Sequence, residues 1–305
     1  MAFTAMDVKK LREMTNVGMM DCKKALAATD GDMDKAVDYL REKGLAKAAK
    51  KADRIAAEGI ALAAVVDGVG VVIEVNSETD FAAKTDAFKD LVNNLAIVVA
   101  KENPADVEAL KACKYPNSSL TVTEIMQEKV MSIGENMQIR RFARFADNTS
   151  VAYVHAGGSH GVLVNLAVEG DFDATEIGKN VAMQIAAMSP KYWDKSLVPA
   201  ADVEHEMTVQ MTLMENDPKM ANKPAQVKEK IAAGKMNAFY KEMCLLQQDF
   251  VRSDLFQGSV EGYIENASKK AVKFVDAVHF VKGEGIEKKE EDFAAEVAAQ
   301  IKGAK

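Results

Sequence analysis

The chain has 305 residues, with 39 Lys and Arg against 46 Asp and Glu, which gives a net charge of −7. This balance is typical of a globular protein and argues against a protein that coats DNA or RNA, because such binding depends on an excess of positive charge. We therefore expect no direct nucleic-acid partner. At about 100–200 residues per domain, the length predicts two or three domains.

The three cysteines, Cys22, Cys113 and Cys244, are odd in number and far apart in the chain. This spacing is typical neither of a zinc site nor of a disulfide framework, so we interpret them as reduced thiols. The first residues do not show the basic and apolar regions of a secretory signal, and no apolar stretch has the ~20 residues of a membrane helix. We expect a cytoplasmic protein without a membrane partner.

The beginning of the chain predicts a small three-helix domain. The expected helices cover residues 7–14, 21–29 and 32–44. Asp32 is a suitable N-cap for the third helix and Gly44 a suitable C-cap. Ala and Lys dominate residues 43–54, which favours a solvated helical linker, although the positive charge could also attract an acidic protein surface.

The middle of the chain contains an internal repeat, because residues 70–81 align with residues 161–172 without a gap. Both segments end in Glu-x-Asp-Phe. An apolar run precedes each segment across a Gly-rich turn, and an amphipathic helical pattern follows it. A third strand is expected at residues 137–145. The repeat therefore predicts two related α/β subdomains, each with an antiparallel sheet covered by helices.

The chain after the second repeat predicts an antiparallel helical hairpin, in which Pro218 and Pro224 lie at the turn. Such an arm has little core of its own, so its apolar side is expected to pack on another surface or on another subunit by self-association. A last amphipathic helix carries Phe293, Val297 and Ile301. The expected bounds are a three-helix domain and linker at 1–54, a first core subdomain at 55–148, a second at 149–192 and 240–270, the arm at 193–239, and a C-terminal strand and helical module at 271–305.

Common catalytic and cofactor motifs are missing from the sequence. It contains no phosphate-binding loop, no dinucleotide-binding glycine pattern, no nucleophile elbow and no HExxH. His155 and His160 are close together, but no Cys or carboxylate lies near them at ligand spacing. We therefore expect no catalytic residue, no cofactor and no metal.

Phe81 lies at the corner between a predicted buried strand and the helix that follows. Spacing alone favours a core role, in which Phe81 caps its own subdomain as its repeat counterpart Phe172 is expected to do. The alternative is that an aromatic side chain on a rigid corner fills a pocket on a partner protein, since such residues dominate binding energy at interfaces.

Four parts of the chain resemble the bacterial elongation factor Ts family, the guanine nucleotide exchange factors of elongation factor Tu. They are residues 11–26, the corner Glu78-Thr79-Asp80-Phe81, residues 133–136 and residues 283–288. The resemblance covers nearly all of the chain. It implies an α+β fold with an N-terminal three-helix domain like the ubiquitin-associated domain, a core of two related subdomains, an inserted antiparallel coiled-coil arm and a C-terminal helical module.

The resemblance also implies how the chain contacts elongation factor Tu. Asp80 and Phe81 would form a wedge, flanked by Thr79 and by Ala82, where the family usually has Val. The wedge would enter the GTPase domain and disturb its Mg²⁺ and phosphate site, so that GDP leaves and GTP rebinds. Supporting contacts are implied for Arg12, Met19, Met20, Lys23, Ile133, Gly134 and His155.

A second hypothesis requires no effect on nucleotide. The chain would be a non-catalytic adaptor or a chaperone-like scaffold that binds its partner through the three-helix domain. This hypothesis predicts that residues 1–54 carry the affinity, whereas the exchange-factor hypothesis needs the corner at Phe81. A metabolic enzyme would need a convergent polar pocket, which the sequence does not indicate.

Overall fold

The computed structural model describes residues 3–15, 17–220 and 223–287. The helices are α1 (Ala5–Thr15), α2 (Met19–Ala28), α3 (Met33–Lys51), α4 (Asp80–Lys84), α5 (Asp86–Glu102), α6 (Val107–Ala112), α7 (Val122–Ile133), α8 (Thr175–Met188), α9 (Ala200–Asn216), α10 (Ala225–Met243) and α11 (Val260–Ser268). The strands are β1 (Glu58–Val66), β2 (Val69–Ser77), β3 (Met137–Phe145), β4 (Thr149–His155), β5 (His160–Val168) and β6 (Val272–Val281). The prediction of an α+β fold is confirmed.

The chain divides into two compact units, each with its own apolar core. The first unit comprises Met1–Ala61, Ile73–Phe142 and Val281–Lys305, and the second comprises Leu62–Val72 and Ala143–Phe280. The predicted terminal helix with Phe293, Val297 and Ile301 lies outside the described residues. Within the described part of the chain, no helix is both long enough and apolar enough to cross a bilayer.

Helices α1 to α3 pack around a small core in which Leu11, Cys22 and Leu26 are fully buried. Asp32 caps α3, since its carboxylate accepts a hydrogen bond from the Lys35 N–H over 3.0 Å. The predicted end of this helix at Gly44 was wrong, because α3 continues to Lys51. Gly44 lies where α3 packs on α7, and a Cβ there would make an ordinary contact of 3.5 Å with Sδ of Met131, so the glycine does not end the helix.

The repeated segments form the central strands of two three-stranded sheets. The strand order is β1-β2-β3 in the first sheet and β4-β5-β6 in the second. The turn between β1 and β2 has positive φ at both Asp67 and Gly68, as a two-residue type I′ hairpin requires. Strands β4 and β5 are antiparallel, from Thr149 opposite Leu166 to His155 opposite His160. β3 covers the same residues, 137–145, that the sequence predicts as a third strand.

An amphipathic helix follows each central strand, because its apolar residues recur at helical spacing and pack on the core. In α5 the fully buried residues include Phe88, Leu91, Leu95 and Val99. In the second unit, α8 packs against β4 and β5. Helices α9 and α10 pack against each other and bury Met214 and Met236. α10 continues to Met243, beyond the predicted end of the arm at residue 239.

Candidate protein-binding site

The side chain of Phe81 points away from the protein interior. It is 79% exposed, which is the highest value for any large hydrophobic side chain in the described residues. Ala82 and Ala83 beside it are buried, so α4 packs through its alanines and leaves the ring in solvent. The interpretation of Phe81 as a core cap is therefore wrong. It is also wrong for Phe172, which is 36% exposed.

The corner is built by local hydrogen bonds between the end of β2 and the start of α4. The Ser77 hydroxyl donates to the Thr79 carbonyl over 2.9 Å. The Thr79 hydroxyl accepts from the Ala82 N–H over 3.2 Å, which makes Thr79 the N-cap of α4. The cap fixes the first turn, from which Asp80 and Phe81 project. Because Ala82 is buried, it belongs to the support of the corner.

Glu135 holds the corner from a segment 56 residues further along the chain. Its Oε1 accepts from the Thr79 hydroxyl over 2.6 Å, and its Oε2 accepts from the Thr79 N–H over 2.9 Å. One carboxylate thus binds both polar hydrogens of Thr79. Bonds to an ionised acceptor are stronger than neutral ones. The residues after α7 are therefore directly connected to the base of the proposed wedge.

Asn136 connects the segment after α7 to the corner and also to the residues after α3. The Asn136 N–H donates to Oε1 of Glu78 over 2.6 Å, and the Asn136 amide donates to the Arg54 carbonyl over 2.8 Å. Gly134 ends α7 with a φ of +90° and is exposed, while Ile133 is half-buried. Residues 78–81 and 133–136, two of the segments that carry the family resemblance, therefore form one structural element.

Lys84 is a member of this site that the sequence analysis did not identify. Its ammonium group lies 2.5 Å from the Asp80 carboxylate and 5.8 Å from the centroid of the Phe81 ring. The hydrogen bond from Lys84 is the main cause that lowers the pKa of Asp80. The i, i+4 spacing of the two residues in a helix could have indicated this pair. Lys84 thus contacts both side chains of the proposed wedge.

Four of the implied supporting residues lie on the N-terminal helices. Arg12 on α1 and Met19, Met20 and Lys23 on α2 are all exposed. Met20 is 64% exposed and Met19 is 45% exposed, although methionine is usually buried. The two thioether side chains therefore provide apolar surface that no residue of the described chain covers.

His155 lies in the second unit, at the end of β4. It is exposed, and its Nδ1 lies 2.9 Å from the Tyr153 hydroxyl. His160, at the other side of the turn, has its Nδ1 at 2.9 Å from Nε2 of His279 on β6. The structure therefore places His155 beside a pair of hydrogen-bonded histidines, of which the sequence analysis identified only His160.

Two comparisons with known proteins decide the family. The family model described as Elongation factor TS matches residues 78–284, which is more than half of the chain. Elongation factor Ts of Clostridioides difficile (strain 630) is 44% identical to the chain over 304 residues, covering 98% of the chain and 99% of that protein. The chain belongs to the elongation factor Ts family. The resemblance inferred from the sequence is thereby confirmed.

Membership in the elongation factor Ts family makes this chain a translation factor of the nucleotide-exchange class. Burial raises the pKa of Cys244 to about 11, which disfavours the nucleophilic thiolate. Among the described residues, no group of three or more His, Cys, Asp or Glu side chains could hold a metal ion.

Proposed function

We propose that this chain binds elongation factor Tu in its GDP form and promotes release of the nucleotide. Phe81 and Asp80 would enter the GTPase domain of the partner as a wedge. The observation that carries the proposal is the 79% exposure of the Phe81 ring on a corner that Glu135 and Asn136 hold in place. Because most of the ring is in water, it gains most of the free energy of burial when it enters a pocket.

The mechanism requires no catalytic side chain in this chain. A GTPase holds GDP through a phosphate-binding loop and through Mg²⁺, both linked to mobile switch segments. A wedge that displaces the adjoining helices weakens the metal and phosphate contacts together. Because the coupling is reciprocal, the exchange factor lowers the affinity for GDP by the same factor by which GDP lowers the affinity for the exchange factor. GTP can then bind and complete the exchange.

Phe81 cannot supply the required free energy alone. Burying one Phe contributes about 1.5–3 kcal/mol, whereas moving an equilibrium from about 1:99 to 99:1 takes roughly 5.5 kcal/mol. We therefore propose further contacts through the exposed Met19 and Met20 with Arg12 and Lys23, through the segment at Ile133 and Gly134, and through His155. The second unit and the N-terminal helices would both take part in the complex.

The finer architecture belongs to the same proposal. We propose that α1 to α3 form a domain like the ubiquitin-associated domain, and that α9 and α10 form a coiled-coil arm capable of self-association. The two sheets with their helices would be the related core subdomains. The place of action would be the cytoplasm, where elongation factor Tu is the partner, with no direct contact to nucleic acid or membrane.

Release of fluorescent GDP from elongation factor Tu, followed by stopped flow at subsaturating amounts of this chain, tests the proposal. Phe81→Ala should slow release about 30-fold or more, since loss of an anchor of this kind costs about 2 kcal/mol or more. Phe172→Ala is the matched control, because it removes the same side chain at the equivalent position of the repeat. The proposal fails if Phe81→Ala releases GDP as fast as the parent.

The adaptor hypothesis has one supporting observation, the exposed methionines of α1 and α2, of which Met6 is 73% exposed. It predicts that a full-length chain with Met19→Ser and Met20→Ser loses its partner and that Phe81→Ala keeps it. Equilibrium binding of both variants to elongation factor Tu separates the two functions. The exchange-factor proposal predicts that both variants weaken the complex and that both slow GDP release.

A further inference from the structure

We propose that Glu135 is a positioning residue for nucleotide exchange, which acts through Thr79 to hold the Phe81 ring in the direction needed for docking. The inference rests on the proposed function. It is carried by the two hydrogen bonds of 2.6 and 2.9 Å from Thr79 to the Glu135 carboxylate.

The helix that carries Phe81 is too short to hold its own direction. α4 has five residues, whereas isolated helices shorter than about 12–15 residues are marginal in water. The ring is 79% exposed, so its own packing contributes little. The direction of the ring therefore depends on the packing of Ala82 and Ala83 and on the N-cap at Thr79, and Thr79 is itself bound by Glu135.

Glu135 is itself fixed, so it can transmit order to the corner. Gly134 before it adopts a φ of +90° at the end of α7. Asn136 follows it in the chain. The backbone N–H of Asn136 donates to Glu78, and its side-chain amide donates to the Arg54 carbonyl. The carboxylate is thus attached to a backbone that is anchored on both sides, whereas Thr79 lies in the short connection between β2 and α4.

Ordering the corner in the free protein favours docking, because a preorganised anchor loses less conformational entropy on binding. When the carboxylate is replaced, the Thr79 N–H and hydroxyl lose a charged acceptor and the first turn of α4 samples more directions. Fewer encounters then present the ring correctly. The effect should appear in GDP release, and it should require the Phe81 ring to be present.

A double-mutant cycle on the full-length chain tests this dependence. Glu135→Gln should slow release of fluorescent GDP about 10-fold in the parent and less than 2-fold in the Phe81→Ala background. Glu128→Gln is the matched control, because Glu128 lies on α7 and forms an exposed ion pair with Arg41 at 3.5 Å; it should leave the rate unchanged. An equal effect of Glu135→Gln in both backgrounds, or no effect in the parent, would overturn the inference.

A second pair of variants changes the Thr79 hydroxyl, which donates to Glu135 and accepts from the Ala82 N–H, and covers the case that Glu135→Gln lowers the folded population. Thr79→Ser keeps the hydroxyl and should keep the release rate within about 2-fold, whereas Thr79→Val should slow it about 10-fold. Equal rates for these two variants would also overturn the inference. If Phe81→Ala alone does not slow GDP release, the proposed function fails as well. If Phe81→Ala slows GDP release and Glu135→Gln does not, only the role of Glu135 is overturned.

Discussion

The backbone N–H of Gly283 donates to the buried carboxylate of Glu74 over 2.7 Å, although the two residues are 209 positions apart. Glu74 is fully buried in β2. Arg140 and Arg141 on β3 also bind it, with N–O distances of 3.0 and 2.7 Å. A buried charge is tolerated only when it is paired and hydrogen-bonded. The backbone N–H of Gly283 therefore completes the partners of a charge in the first sheet.

Gly283→Ala should destabilise the first unit strongly. The residue has a φ of +69°, and a Cβ would lie 2.1 Å from the Ala57 carbonyl oxygen, so the backbone must shift away from Glu74. Gly285→Ala is the matched control, because Gly285 has a φ of +72° with no atom within 4 Å of the added Cβ. We expect a loss of about 1 kcal/mol for Gly285→Ala from backbone strain and about 2–4 kcal/mol more for Gly283→Ala, measured by urea unfolding with circular dichroism. Equal losses would contradict the steric argument.

Glu74→Gln should destabilise the protein at neutral pH and weaken its sensitivity to acid. Burial alone would raise the pKa of Glu74, but hydrogen bonds from Gly283, Asn76 and the two arginines outweigh it, so the pKa is lowered. A lowered folded pKa contributes stability above the unfolded value of about 4.3, and this stability is lost as the pH falls through the folded pKa. We expect a loss of about 3–5 kcal/mol at pH 7 and a flatter decline of the free energy of unfolding below about pH 4.3.

Glu284→Gln is the control for Glu74→Gln when the free energy of unfolding is measured with urea. Glu284 pairs with Arg141 at 3.1 Å, but its side chain is 58% exposed. Exposed ion pairs contribute about 0–1 kcal/mol, so this variant should unfold in urea nearly as the parent does. A loss at Glu284 as large as that at Glu74 would mean that burial is not the cause.

Local patterns in the sequence were sufficient to predict most of the elements of the two sheets. The first hairpin has residue types that tolerate the positive φ of a type I′ turn, Asp67 and Gly68, and the helices have apolar stripes such as that of Phe88 and Leu91. Where the prediction from local patterns failed, tertiary contacts determined the structure. Gly44 has the residue type of a C-cap, yet it lies inside α3, in the part of the chain where this helix packs on α7.

The candidate site was likewise predictable only in part from the sequence. The corner at Phe81 could be located from the repeat and from the family resemblance, but spacing could not decide whether the ring was buried. The outcome depends on Ala82 and Ala83, which fill the interior side of α4. The contact of Thr79 with Glu135 joins segments 56 residues apart, and a single sequence contains no signal for such a pair.

Gly178→Ala should destabilise the second unit, although alanine is the better helix former. A Cβ on Gly178 of α8 would lie 2.5 Å from Cγ2 of Val151 on β4. Gly234→Ala in α10 makes the same change with no atom within 4 Å, and it should stabilise by about 0.5–1 kcal/mol. We expect a loss of about 1–3 kcal/mol for Gly178→Ala from overpacking.

Trp193, the single tryptophan, packs on the core of the second unit, so its fluorescence during urea unfolding measures both variants. A gain in stability for Gly178→Ala would show that Val151 yields without strain.

The histidine pair at the turn of the second sheet should make that unit less stable in mild acid. His160 is faced by His155 from β4 and by His279 from β6, and His155 in turn contacts the Tyr153 hydroxyl. Burial lowers the pKa of His160, and the electrostatic interaction with His155 lowers it further. Because the unfolded chain then binds a proton more readily than the folded one, stability is complete above the unfolded value of about 6.5 and falls as the pH drops below it.

His160→Gln removes the titrating group and tests this origin. Urea unfolding is followed by Trp193 fluorescence from pH 7.5 to 5.5. The free energy of unfolding should fall less steeply with decreasing pH in the variant than in the parent. The difference should be below about 1 kcal/mol because the site is partly solvated. His205→Gln is the control, since His205 is exposed on α9, outside the cluster, and it should retain the dependence of the parent. An equally steep decline in His160→Gln would mean that another group is responsible, because the replaced side chain carries no proton that titrates in this range.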